Sequence, residues 1–337
     1  LKFVIAGDGH SEIHERACAT ALRSLGHQVE ELYWAPRFRS VLGIGKDEFR
    51  SFNARLQNKL IEGPIVRRYN ADLLALCEQT GPDVFLAYRG THVLPSTLRN
   101  MRAKRVSINN DDPFSPGASA LHWRRFRAGL PEYDTNFVYR HRNLDDYRAA
   151  GARNVHLLRS FYIPARNYPM DIPQEYDVVF AGHFEPDGRD AVLARVLDEG
   201  IDLRIFGPEW ESSPLVNRIP MPEYLDGERY NRVLNASKIV LSFLSTLNRD
   251  TYTRRCFEVP ASGAFLLSQY SDDLASLFEE GREIAFFRNA GELVEKIRYY
   301  LAHDEERRAI ARAGHERVRK DGHDVTGRMR QMLEVLA

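Results

Sequence analysis

Cysteine is scarce, long apolar runs are missing, and neither sign of charge dominates. Only Cys18, Cys77 and Cys256 occur, scattered and odd in number. They form neither a disulfide framework nor a CxxC pair, so a reducing cytoplasmic setting is expected. Lys plus Arg and Asp plus Glu are both 47, giving a net charge of zero. A dedicated nucleic-acid binder carries a basic surplus, so no nucleic-acid partner is expected. No apolar stretch reaches the roughly 18 residues of a membrane-spanning helix. The opening KFVIA is strand-like, without the charged n-region and apolar h-region of a signal peptide. No internal repeat or low-complexity tract interrupts the chain.

At 337 residues, 43% hydrophobic and 28% charged, the composition is that of an ordinary globular protein long enough for two domains. Lys2 to Ala6 reads as a buried strand and Gly7-Asp8-Gly9 as its exit turn. A helix stripe follows (Ile13, Ala17, Ala21, Leu22, Leu25), stops at Gly26, and gives way to a strand over Val29 to Tyr33. This β-α-β start has a glycine turn at a strand's carboxyl end, where open α/β sheets bind ligands. GDGHSE lacks the third glycine of a dinucleotide fingerprint, which argues against an oxidoreductase. His10 and His14 stand four apart without the glutamate of HExxH, and no PCxxC follows, so no metal site is expected.

Residues 34 to 80 read as helical and charged, broken at Gly63-Pro64. Strands are expected at Val84 to Ala87, ending in Tyr88-Arg89-Gly90, and at Arg105 to Asn109, ending in Asn110-Asp111-Asp112-Pro113. Three consecutive strand exits should then share one sheet edge and collect His10, Arg89, Asp111 and Asp112. Each of the acids, and His10, is a candidate general base; turn chemistry alone also accounts for Asp111 and Asp112. Leu121 to Arg127 (LHWRRFR) is basic and aromatic. It reads as a half-buried helix with a solvated basic face, the alternative being peripheral contact with an anionic membrane. Domain one is expected over 1–163.

Residues 164–175, rich in proline, are expected to link to a second α/β domain over 176–322, with a last helix at 323–337. Tyr176 to Ala181 opens this domain and exits at Gly182-His183, where a glycine lets the backbone approach a phosphate. Strand Asp202 to Phe206 leads to Gly207-Pro208-Glu209-Trp210. Lys238 to Leu244 is a nearly continuous apolar strand. It feeds Asn248 to Leu267, NRDTYTRRCFEVPASGAFLL. There Asp250 is placed to cap a helix, Arg254 and Glu258 lie one turn apart, and Gly263 ends the helix before another strand. Helix-start amides with an arginine suit a diphosphate, and a carboxylate accepts from sugar hydroxyls. An N-cap acid with one surface Arg–Glu pair is the plainer alternative.

TRRCFEVPASGAFLL, followed by FEEGREIAFF (Phe278 to Phe287), resembles the C-terminal half of CgeB-like GT-B glycosyltransferases, most strongly over Tyr176 to Tyr300. The resemblance implies an α/β GT-B fold, two facing Rossmann-like domains with a cleft between them. It also implies transfer of a sugar from a UDP-, GDP- or dTDP-sugar to a glycan, protein or small-molecule acceptor hydroxyl, as a hexosyltransferase. In its acid-x7-acid pattern Glu258 would hold the ribose and Asp250 would lie by the sugar. Asp stands at the first position where glutamate is more usual. Gly182 and His183 would approach the diphosphate or sugar, Trp210 or Tyr224 would stack on the base, and Gly9 and Arg89 would face the acceptor. No Asp-x-Asp occurs to hold a metal, so a metal-independent reaction without a cofactor is expected. Inversion and retention of configuration both stay open. The rival readings are a nucleotide-sugar 2-epimerase of the same architecture and a non-catalytic carbohydrate-binding or spore-coat-type protein.

Overall fold

A computed structural model describes residues 1–40 and 48–337. The chain divides into two compact units, Leu1–Arg159 with Val325–Ala337, and Ser160–Asp324. In the first, strands β1 (Lys2–Gly7), β2 (Gln28–Tyr33), β5 (Val84–Tyr88), β6 (Lys104–Asn109), β7 (Thr135–Val138) and β8 (Val155–Leu157) form one sheet in the order β2-β1-β5-β6-β7-β8. Every neighbouring pair is parallel. The short antiparallel pair β3 (Arg39–Ser40) and β4 (Glu48–Phe49) lies outside that sheet. In the second unit β9 (Tyr176–Ala181), β10 (Leu203–Phe206), β11 (Ser237–Ser242), β12 (Leu266–Gln269) and β13 (Ala285–Phe287) form a parallel sheet ordered β10-β9-β11-β12-β13.

The inner strands are largely apolar, as parallel strands covered on both faces are. All five residues of β5 are buried, and so are four consecutive residues in β6, β9 and β11. One core packs Val4, Phe85 and Ala87 against Tyr69, Leu73, Trp123 and Phe126. The other packs Phe180, Ile239, Leu241 and Leu267 against Leu193, Val196 and Ile297. Each such Leu, Val or Phe contributes about 1.5–3 kcal/mol through burial. Both sheets reverse strand order beside their first strand, between β1 and β5 and between β9 and β11. Ligands of doubly wound sheets bind outside the carboxyl ends at that point.

The proline-rich stretch, expected as a linker, is bonded along its length to the second unit. Tyr162 N–H donates to His323 O (3.1 Å), Tyr168 N–H to Asn231 Oδ1 (3.3 Å) and Met170 N–H to Asn235 Oδ1 (2.7 Å). The last helix, Val325–Leu336, packs on the helix Glu15–Ser24 and is counted with the first unit.

Candidate functional site

Within the second unit, the exit of β9 is built around Gly182. A side chain there would come 2.8 Å from Phe180 Cζ and 3.0 Å from an Arg255 Nη1 already lying against the turn. Gly207, at φ +122°, backs onto the Gly182 carbonyl, where a Cβ would collide. The same carbonyl accepts from Trp210 Nε1 at 2.9 Å. Trp210 is 1% exposed, so the expectation that it stacks on a base is corrected. Its ring is core, and its N–H fixes the glycine turn. Tyr224 is exposed, on the segment whose Glu223 carbonyl accepts from Gly207 N–H (2.9 Å).

After the turn, charged groups hold the loop in place. His183 Nε2 lies 2.8 Å from Glu185 Oε1, and Ser245, past the end of β11, donates to the same carboxylate. Burial would raise the pKa of Glu185, but the bonds from His183 and Ser245 and the charge of Arg189 hold it down to about 2. Arg189 is itself buried, paired with Asp187 (2.6 Å) and Glu185 (3.3 Å).

The helix carrying the paired acid spans Arg255–Ala261, and its N-cap residue is Arg254, in helical conformation and without a side-chain cap. Asp250 therefore does not cap it. Asp250 closes the turn after β11, its N–H donating to Ser245 O (2.8 Å) and its Oδ1 accepting from Asn248 (3.3 Å). Glu258, in the first turn, is buried and accepts from the Tyr230 hydroxyl at 3.0 Å. Burial raises its pKa, while Arg254, the Tyr230 hydroxyl and Arg255 oppose that. The Arg254 guanidinium lies over the Phe161 ring, 4.7 Å from its centre.

Two residues here escaped sequence reasoning. One is Tyr230, placed on Glu258 by a helix 28 residues away. The other is Arg255, whose guanidinium lies 5.4 Å from the centre of the Phe180 ring and against Gly182. Its Nε is buried without a hydrogen bond. Among the described residues no carboxylate pairs with it. The helical spacing to Glu258 points to Arg254; the Arg254-Arg255 dipeptide was the only hint that the neighbour matters. Such a cation beside a glycine turn can take a diphosphate, and the adjacent carboxylate can take hydroxyls.

In the first unit, three strand exits meet as expected. Arg89 Nη1 lies 3.3 Å from Asp8 Oδ2 and Nη2 lies 2.7 Å from Asp111 Oδ2, tying β1, β5 and β6 together. Arg89 holds a left-handed backbone, φ +62°, uncommon for a residue with a side chain. Beside it a cavity of about 230 Å³ is lined by Asp8, His10, Trp34, Arg39, Arg89 and His122. His10 is exposed at its mouth, with its N–H on Asp8 Oδ1 (2.8 Å). Gly9 N–H donates to the Glu15 carboxylate.

Asp112 is corrected. It is 2% exposed, and Oδ1 accepts from Phe114 N–H and Asn143 Nδ2, both at 2.9 Å. It holds the turn and is closed off from solvent, while its neighbour Asp111 points to Arg89. His14 precedes the helix Glu15–Ser24 and stacks on Tyr88, 5.6 Å between ring centres. Glu15 was not foreseen. It is fully buried, one carboxylate oxygen lacks any partner, and burial followed by the charge of Asp8 pushes its pKa up to about 7. Among the described residues no group of three or more His, Cys, Asp or Glu is placed to hold a metal. No described helix is long and apolar enough to cross a membrane.

Two Rossmann-like units, each with a parallel sheet, define the fold class: this is GT-B. Residues 189–334 match the model of a family described as glycosyl transferase-like. No curated protein matches in sequence. Among solved structures, the chain is similar to sucrose-phosphate synthase from Thermosynechococcus elongatus (TM-score 0.72, 13% identity, 100% of this chain and 98% of that one). It is also similar to Anabaena HepE in complex with UDP-glucose (TM-score 0.65, 13% identity, 99% of each chain). A Listeria monocytogenes protein assigned as a UDP-N-acetylglucosamine 2-epimerase aligns as well (TM-score 0.56, 12% identity, 99% and 94%). The fold by itself therefore does not choose between transfer and epimerisation.

Proposed function

We propose that this protein is a CgeB-like glycosyltransferase of the hexosyltransferase type that works without a metal. It moves a sugar from a UDP-, GDP- or dTDP-linked donor to an acceptor hydroxyl in the cytoplasm. The observation that carries the reading is the unpaired Arg255 guanidinium on the Gly182 turn, one helical turn from the Glu258–Tyr230 pair. The acceptor oxygen bonds to the anomeric carbon as the bond from that carbon to the β-phosphate oxygen breaks. Arg255 and Arg254 balance the charge that develops on the leaving diphosphate, the task a metal otherwise performs. Glu258 takes the ribose hydroxyls, Asp250 and His183 lie toward the sugar, and exposed Tyr224 offers a face to the base. In an inverting reaction the acceptor's proton goes to His10 or Asp111, near Gly9 and Arg89; in a retaining one it goes to the leaving phosphate.

Epimerisation is the second reading, favoured by the likeness to the Listeria protein. Incubating the protein with UDP-, GDP- and dTDP-sugars in turn, with and without EDTA, and following the sugar by NMR separates the two. Slow hydrolysis of the donor, insensitive to EDTA and speeded by an acceptor, is expected. Inversion at the sugar's C2 from donor alone overturns transfer. Loss of turnover in EDTA with recovery on a divalent ion overturns the metal-free mechanism. A thermal-shift screen against the same compounds tests the non-catalytic alternative at the level of binding.

A further inference from the structure

The helix Phe52–Leu60 carries apolar residues at i, i+4 and i+8, a stripe that ordinarily faces a core. Here it faces outward: Phe52 is 82% exposed, Leu56 44% and Leu60 38%. The opposite face is fixed, so the helix cannot roll the stripe inward. Ala54 and Gln57 are buried, and Gln57 Oε1 accepts from Ile65 N–H (2.8 Å). Asn58 Oδ1 lies 3.1 Å from His92 Nε2, and the His92 ring is stacked on Trp34 at 3.7 Å. Ser51 caps the first turn, accepting from Ala54 N–H (3.1 Å), and Ile61, at φ +48°, ends the helix.

The charge around the stripe has one sign. FNARLQNKL contains no acid, and its cations Arg55 and Lys59 are exposed. By helical rotation they flank the stripe, where their aliphatic stems extend the apolar surface. Exposed Arg124 donates to the Leu60 carbonyl (3.3 Å) at the helix's end. The nearby acid Glu62 is engaged by Arg125 (3.0 Å) and Arg124 (3.6 Å).

We propose that this helix docks the protein on an anionic membrane surface, with Phe52, Leu56 and Leu60 entering the headgroup–acyl boundary and Arg55 and Lys59 meeting lipid phosphates. Three side chains on one short ridge offer a few hundred Å² at most, against about 800 Å² per partner in a standard protein interface. An interfacial helix needs no more than such a stripe and the attraction of anionic lipid. The assignment moves the surface contact away from LHWRRFR. There Trp123 and Phe126 are core, Arg125 is paired with Glu62, and Arg127 bonds the Ala120 carbonyl.

The test is co-sedimentation of the full chain with vesicles of phosphatidylcholine alone, and of phosphatidylcholine mixed with phosphatidylserine at about 2:1. Binding to the mixed vesicles only, weakening as salt rises, is expected. The triple variant Phe52→Ser, Leu56→Ser, Leu60→Ser should lower partitioning about tenfold or more. Arg55→Glu with Lys59→Glu should do the same, and neither set should move the thermal midpoint downward, since all five side chains are exposed. The proposal fails if wild-type protein ignores mixed vesicles or if the triple variant binds like wild type. It fails equally if sedimentation without lipid shows a dimer that the triple variant disperses, which would give the stripe to a second copy of this chain.

Discussion

Both units place an arginine at the point where their strand order reverses, and the two arginines have opposite circumstances. Arg89 is held between Asp8 and Asp111, its charge spent inside the protein. Arg255 lies on the Gly182 turn and over Phe180 with no carboxylate partner among the described residues. A salt-bridged arginine organises loops; an unpaired, half-buried one is a cost that an anionic ligand removes. Two similar sheets thus end in unlike arginines, one neutralised by carboxylates and one without a carboxylate partner among the described residues.

The largest effect should come from breaking that asymmetry. Arg255→Ala removes charge-assisted hydrogen bonds of about 1.5–3 kcal/mol. Titration calorimetry should then show affinity for a nucleoside diphosphate falling by about 10- to 150-fold. The monophosphate should lose much less. Arg89→Ala should leave diphosphate affinity within about threefold, since its charge is already neutralised. Near-equal losses in the two variants would mean that Arg255 has no special role.

The glutamates behind the two turns sharpen the contrast and come second. Glu15 has its pKa pushed up from 4.5 to about 7, chiefly by burial, and the pKa of Glu185 is held down from 4.5 to about 2 against its own burial. Between pH 4.5 and 7 the folded chain keeps a proton on Glu15 that the unfolded chain has lost. Its contribution is therefore present below the unfolded value and disappears as pH rises through about 7. For Glu185 the sign reverses: the contribution is present above 4.5 and disappears as pH falls toward 2. Each amounts to at most about 3 kcal/mol. In denaturant titrations at pH 8, Glu15→Gln should stabilise and Glu185→Gln should destabilise. Shifts of the same sign in both would show that the two carboxyls do not differ as their surroundings require.

The fold was legible because its evidence is local. Mostly apolar strands, several of them followed by a glycine or acidic turn, announce parallel sheets covered on both faces. The meeting of Arg89 and Asp111 followed from strand exits alone, whereas Asp8, the other partner of Arg89, was not singled out. What stayed hidden depends on contacts distant in sequence or on one residue of helical phase. The helix begins at Arg255, with no capping side chain to mark its start, so spacing selected Arg254 and missed the neighbour that touches Gly182. Adjacent Asp111 and Asp112 look alike in sequence, yet one reaches Arg89 and the other is buried on Asn143. Glu15 reads as an ordinary acid in a first helical turn; only the packing of the β1 loop over it reveals a desolvated carboxyl.

The smallest expected effect concerns Trp210, which separates a supporting ring from a base-binding one. Its indole N–H is the side-chain donor to the Gly182 carbonyl, and its ring meets Phe180 and Phe184 edgewise or tilted, 6.0 and 5.5 Å between centres. Trp210→Phe keeps an aromatic ring in the core but deletes that hydrogen bond, at a cost of about 1 kcal/mol in stability. The Gly182 turn then loses one of its anchors. If the turn meets the phosphates, as proposed, affinity for every nucleoside diphosphate should fall by the same few-fold factor, since the phosphates are common to all of them. A ring that stacked on the base would instead give losses that differ between uridine, guanosine and thymidine compounds. Calorimetry with the three diphosphates on wild type and Trp210→Phe decides between these. An unequal loss would return Trp210 to the base and require the β10 exit to open in the bound protein.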